Sequence, residues 1–280
     1  MTEFFHAVAN YPFMLNALLV GVLASVACGV VGTYVVTRRI TYLAGGIAHS
    51  VLGGLGLARY LSIVHGWTWL KPMHGAIVAA LVASVVIGWV SLRAREREDT
   101  VIGAIWAIGM AVGVIFITLT PGYNEDLMTY LFGNILLVTT ADLYIIAVLD
   151  AVIVAVVLLF YNKFLAVCFD EEFARIRGIN TEFFYILLLC LTGLTVVILV
   201  GVVGIVLVIA LLTLPAAIAG YYTRTLWQSM VLSAALTVLF TTFGLAISYR
   251  PDLPAGATII VFAGIIYLIA AVGNRLARPH

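Results

Sequence analysis

Long apolar runs, broken by short charged or turn-forming intervals, organise this chain. The first runs from Pro12 to Thr37 and stops at Arg38-Arg39. A second, glycine-rich run reaches about Leu61, and Ser62 to His74 then brings Trp67, Trp69 and Lys71, the mixture of aromatic and basic residues found at a membrane interface. Gly75 to Leu92 ends at Arg93, Arg95, Glu96, Arg97, Glu98 and Asp99. Val101 to Leu119 is closed by Pro121-Gly122 and by Glu125 and Asp126. Further runs cover Ala141 to Tyr161, Phe183 to Val200, Val202 to Tyr222, Leu226 to Tyr249 and Ala255 to Gly273. Apolar stretches of about this length match the roughly 30 Å hydrocarbon core as helices. Leu127 to Val138, only about twelve residues, is too short to cross and predicts an interfacial or re-entrant segment.

The pattern predicts an all-α polytopic membrane bundle of eight or nine spans, with residues 1–280 as a single transmembrane domain. The count turns on one place. No polar turn divides the chain near Gly201, so Phe183 to Tyr222 reads either as two spans or as a long broken helix. With nine spans, eleven of the fourteen Lys and Arg residues fall on one side. That side is then cytoplasmic, the amino terminus is outside and the carboxyl terminus inside, in a cytoplasmic (inner) membrane. Met1 to Tyr11 lacks a basic start, and the run after it is too long for a secretory signal core.

Composition agrees. The chain is 64% hydrophobic and 10% charged, with a mean hydropathy of +1.18, where a soluble domain is about a quarter charged. A net charge of +1 points to no nucleic-acid partner. Cys28, Cys168 and Cys190 form no paired framework. GxxxxGK[ST], GxSxG and HExxH are absent, so this chain carries neither its own phosphate loop nor a recognised catalytic motif. The repeated GVVG at Gly29 and Gly201 is chance in a chain so rich in both residues.

Four places carry candidate chemistry. In Arg38 to Gly56, helical spacing puts Gly45, His49 and Gly53 in one row and Gly46, Ser50 and Gly54 beside it, a bare face suited to close helix packing. It leaves His49 as an imidazole inside an apolar span, which reads as a functional group or as an interhelical hydrogen bond. Asp150, also mid-span, has the same two readings. Cys168 to Asn180 reads as a short amphipathic cytoplasmic helix: Asp170 caps it, Glu171 and Glu172 suit its positive end, and Gly178 closes it. Phe169, Phe173 and Ile176 would form an apolar stripe for a soluble partner, or for the membrane surface. Pro215 predicts a kink at a hinge in the span ending at Tyr222.

These residues resemble the membrane permease subunits of ATP-binding-cassette importers for zinc, manganese or iron. The resemblance lies in the basic pair and aromatic before Ala48-His49-Ser50, in FDEEFARIRGIN with Ala174 and Gly178, in ALLTLPAAIAG, and in SYRPDLPAGATI from Ser248 to Ile259. It implies a non-enzymatic subunit that forms the path as a homodimer and carries a divalent metal ion. A separate ATPase, which uses the ATP, would dock on Asp170, Phe173, Ala174, Ile176 and Gly178. An extracytoplasmic binding protein would deliver metal near Trp67, Glu125 and Asp252. From the residues themselves, His49 and Asp150 are the candidate groups along the path and Pro215 the candidate gate. The chain departs from the family at Gly46, where many members carry an acidic residue one turn from the histidine. Imidazole without carboxylate leans towards zinc over manganese. The competing classes are a proton-coupled secondary transporter using His49 and Asp150, and a membrane-embedded enzyme.

Overall fold

The structure, a computed structural model, describes residues 8, 10–93, 98–121, 133, 135, 138–249, 251 and 253–277. The expected short segment from Leu127 to Val138 falls largely outside the described residues, as do Glu125, Asp126, Asp252, Arg95, Arg97, Arg250 and Arg278.

All regular structure among the described residues is helical: α1 (Pro12–Arg38), α2 (Thr41–Val64), α3 (Pro72–Arg93), α4 (Glu98–Leu119), α5 (Thr140–Phe169), α6 (Glu171–Ile176), α7 (Thr181–Val203), α8 (Ile205–Tyr222), α9 (Leu226–Tyr249) and α10 (Ala255–Ala277). Eight of these are long and apolar enough to cross a membrane.

Local chemistry sets the boundaries. Pro12 occupies the first turn of α1, where its missing N–H costs nothing. α5 opens with a capping box: the Thr139 hydroxyl accepts from Asp142 N–H, and the Asp142 carboxylate accepts from Thr139 N–H at 3.1 Å. Asn180 caps α7 by accepting from Phe183 N–H. α7 and α8 are divided by Gly204 alone, at φ 80° and ψ 166°, a region open essentially only to glycine. One residue with no side chain thus replaces the polar turn that the sequence lacks.

The boundary between α5 and α6 differs from expectation. α5 does not end where its apolar run ends at Tyr161; it continues to Phe169, with non-helical dihedrals only at Phe160. Burial of Phe164 and Val167 holds this last part on the bundle, while the Lys163 ammonium lies over the Phe160 and Phe184 rings at 5.2 and 5.4 Å. Cys168 and Phe169 therefore belong to α5, and the short helix is only Glu171–Ile176. Pro215 sits inside α8, which runs as one helix from Ile205 to Tyr222.

Lipid tails are as apolar as the side chains, so close backbone approach rather than water exclusion holds such a bundle together. α2 packs most extensively on α4 and next on α3, while α1 gathers α9, α5 and α8. Both predicted glycine rows serve these contacts. A Cβ at Gly53 would lie 2.9 Å from the Gly109 carbonyl oxygen, and one at Gly54 would overlap that of Gly75. Hydroxyls inside the spans turn back on their own helices, as Thr33 does on Gly29 O and Thr192 on Leu188 O. Ser84 donates to Ala80 O and reaches Leu189 O across the α3–α7 contact.

Candidate translocation site and coupling segment

His49 lies in the first half of α2 and is 9% exposed. Its ring stacks on Trp106 of α4, centroids 4.1 Å apart and planes 11° from parallel, and its Nδ1 has no hydrogen-bond partner. The interhelical hydrogen bond offered by the packing reading is thus absent at Nδ1. The indole N–H of Trp106 is turned to Met110 Sδ at 3.2 Å. One turn before His49 in the same row, α8 packs close to α2, since a Cβ on Gly45 would meet Ile209 Cδ1 at 3.0 Å and Trp106 at 3.9 Å.

Two neighbours narrow what His49 can recruit. Ser50 Oγ donates within its own helix, to Ile47 O at 2.8 Å and Gly46 O at 3.1 Å. At Gly46 a Cβ would stand 2.7 Å from Ile102 Cγ2. That methyl fills the space a carboxylate one turn from the imidazole would need.

Asp150 is brought elsewhere. It is buried in α5 beside Ala27 and Cys28 of α1, and neither carboxylate oxygen has a hydrogen-bond partner. α2 and α5 share no substantial packing, so the structure does not join Asp150 to His49. No group of three or more His, Cys, Asp or Glu residues is placed to hold a metal among the described residues.

At the other candidate region, Asp170 accepts from Phe173 N–H at 2.9 Å, capping α6 as its sequence predicts. Gly178 takes φ 75°, with Gly178 N–H donating to Arg175 O and Ile179 N–H to Ala174 O, the paired bonds of a Schellman ending. Phe169, Phe173 and Ile176 are exposed, Ile176 by 85%. Ala174 is different. It is 0% exposed and faces this chain's own bundle, because the helical turn that points Phe173 and Ile176 outward points Ala174 in.

Sequence reasoning did not find Trp106 as the partner of His49, nor the anchoring of α6. Arg38 Nη1 donates to Val167 O at 2.9 Å and Nη2 to Glu171 Oε2 at 2.5 Å, while Arg175 Nη2 holds Glu171 Oε1 at 2.8 Å. Hydrogen bonds from Arg38, then from Arg175, hold the Glu171 carboxyl below its ordinary range despite partial burial. The abundance of Arg and Glu in the polar intervals gave no signal for which would pair.

Residues 10–274 match the ABC 3 transport family. A protein of Chlamydia muridarum named "Probable metal transport system membrane protein" is 40% identical over 94% of this chain and 90% of its own length. The manganese transport system membrane protein MntC of Halalkalibacterium halodurans is 30% identical over 96% of this chain and 90% of its own. Among solved structures, PsaBC from Streptococcus pneumoniae in complex with Fab superposes with a TM-score of 0.85 at 31% identity, covering 96% of this chain and 94% of that one. Matched along nearly its whole length in sequence and in helix arrangement, this chain belongs to the ABC 3 transport family.

Proposed function

We propose that this chain, as one permease domain over residues 1–280, carries a divalent first-row metal ion through the membrane as part of an ATP-driven importer. The observation that carries the proposal is His49: an imidazole inside the bundle, stacked on Trp106, with Nδ1 unpartnered. A neutral imidazole binds such ions, and a single ligand lets them leave, as permeation requires. Two copies pair around the path. α4 and α10, each only 17% buried within their spans, leave surface for a second copy or for lipid. A separate ATPase docks on the exposed Phe169, Phe173 and Ile176, and an extracytoplasmic protein delivers the ion near Trp67 and Trp69, which stack 6.2 Å apart. The end carrying Arg38, Arg93 and Arg175 is cytoplasmic.

Two observations bear on the cargo. The lone imidazole, with Gly46 closed off by Ile102, favours zinc. Relatives named for manganese favour manganese. Asp150 serves the α1–α5 contact in this reading, and Pro215 lies in α8, which packs on the His49 helix beside Gly45. The family places ATP hydrolysis beside the membrane subunit, which disfavours a proton-driven transporter.

The test is uptake of radioactive zinc and manganese by liposomes holding the chain with its ATPase and supplied with its extracytoplasmic delivery protein. ATP should drive uptake, and a pH gradient without the ATPase should not. His49→Ala should lower uptake at least tenfold with thermal stability and ATPase assembly retained. Full transport by His49→Gln would sink the ligand role.

A further inference from the structure

Arg38 sits where four elements meet. It ends α1, its guanidinium bonds the Val167 carbonyl near the end of α5 and the Glu171 carboxylate of α6, and its Cζ lies 5.8 Å from the centre of the Tyr185 ring of α7. Glu171 is shared with Arg175, whose Nε donates to Thr181 Oγ1 at the start of α7. The Arg38–Glu171 pair is partly shielded, with side chains 23% and 31% exposed. A planar guanidinium can hold a carboxylate and a carbonyl at once in fixed directions, which an ammonium cannot do.

The next residue makes this corner stiff. Arg39 has φ 61°, the one positive φ among described residues other than glycine. Arg39 N–H donates to Val36 O and Ile40 N–H to Val35 O, so α1 turns at once into α2. From that turn to His49 there is only continuous helix, roughly 12 Å at 1.5 Å per residue. The exposed apolar side of α6 is therefore linked to the His49 helix by one ion pair and one tight turn.

We propose that Arg38 and Glu171 form the clamp through which movement of α6 is passed to α2 and so to His49. Arg38 is a positioning residue: through its bonds to Val167 O and Glu171 it makes displacement of α6 displace the α1–α2 corner. The proposal rests on the importer reading above. A packed bundle with a rigid corner shifts as a unit, whereas a corner released from α6 lets that helix move alone.

The test uses the chain assembled with its ATPase in liposomes and supplied with its extracytoplasmic delivery protein, comparing wild type, Arg38→Met, Glu171→Gln and the double variant. Zinc and manganese uptake, ATP hydrolysis and co-purification of the ATPase are measured on each. Each single variant should lower metal carried per ATP at least tenfold while the ATPase co-purifies and hydrolysis persists. The double variant should be no worse than the more severe single, as two halves of one clamp require. Arg38→Lys should recover part of the loss, because its charge still meets Glu171 while the fork to Val167 is gone. If Arg38→Met fails to assemble, the isosteric Glu171→Gln decides. Wild-type transport per ATP in the single variants, or losses that add in the double, would overturn the clamp. Absence of ATP-driven uptake in the wild type would instead remove the importer reading.

Discussion

At the scale of single residues, Gly46 shows how a missing side chain defines a site. Its absent Cβ is replaced by Ile102 Cγ2, so the imidazole of His49 has no acidic neighbour one turn away. Gly46→Asp alone should strain the α2–α4 contact and cost about 1–3 kcal/mol, the usual range for overpacking, seen as a lower melting temperature in detergent. Gly46→Asp with Ile102→Ala should relieve the clash and set a carboxylate beside His49. Competition between the two radioactive ions should then shift towards manganese. Unchanged competition would mean that ions do not pass close to this turn. Asp150 is the contrasting case, buried against α1 with both oxygens unpartnered. Asp150→Asn keeps its shape and should leave uptake within about twofold of wild type, well under the tenfold that 1.4 kcal/mol would represent. A loss as deep as that of His49→Ala would restore Asp150 to the ion path.

At the scale of elements, α6 separates two kinds of apolar residue that its sequence made look alike. Ala174 is sealed against the bundle, whereas Phe173 and Ile176 face outward. Ala174→Arg would force a long charged side chain into a closed space, so it should reduce folded yield even without the ATPase. Ile176→Asp leaves the bundle alone and should lower ATPase co-purification at normal yield. Pull-down and size-exclusion yield measured together on both variants distinguish these outcomes; normal yield for Ala174→Arg with lost co-purification would return Ala174 to the docking face. Gly178, by contrast, follows from sequence: a helix ending in a left-handed turn calls for glycine, and φ 75° is what it adopts.

At the scale of the whole molecule, the basic residues sort the bundle by end. Arg38 and Glu171 meet at the same end as Arg93 and Glu182, which pair at 3.2 Å. Cysteine at Arg93 should therefore resist an impermeant thiol reagent on intact cells, while cysteine at exposed Lys71 should label readily. The reverse pattern would invert the orientation.

The sequence by itself determined the helical class, the positions of nearly all spans, the caps at Asp170 and Gly178 and the glycine faces of α2. Each of these follows from run length, local backbone chemistry or helical periodicity, which act within a few residues. Tertiary structure alone decided that Trp106 stacks on His49, that Ile102 fills the place beside Gly46, that Asp150 lies against α1, and that Arg38 holds Glu171 across 133 positions of chain. It also decided that α5 continues to Phe169, because that extension is held by burial of Phe164 and Val167 rather than by an apolar run. The reason is common to all of these. Apolar helices carry nearly uniform surfaces, and which residue meets which depends on the rotation and depth at which whole helices pack, quantities that no local spacing encodes.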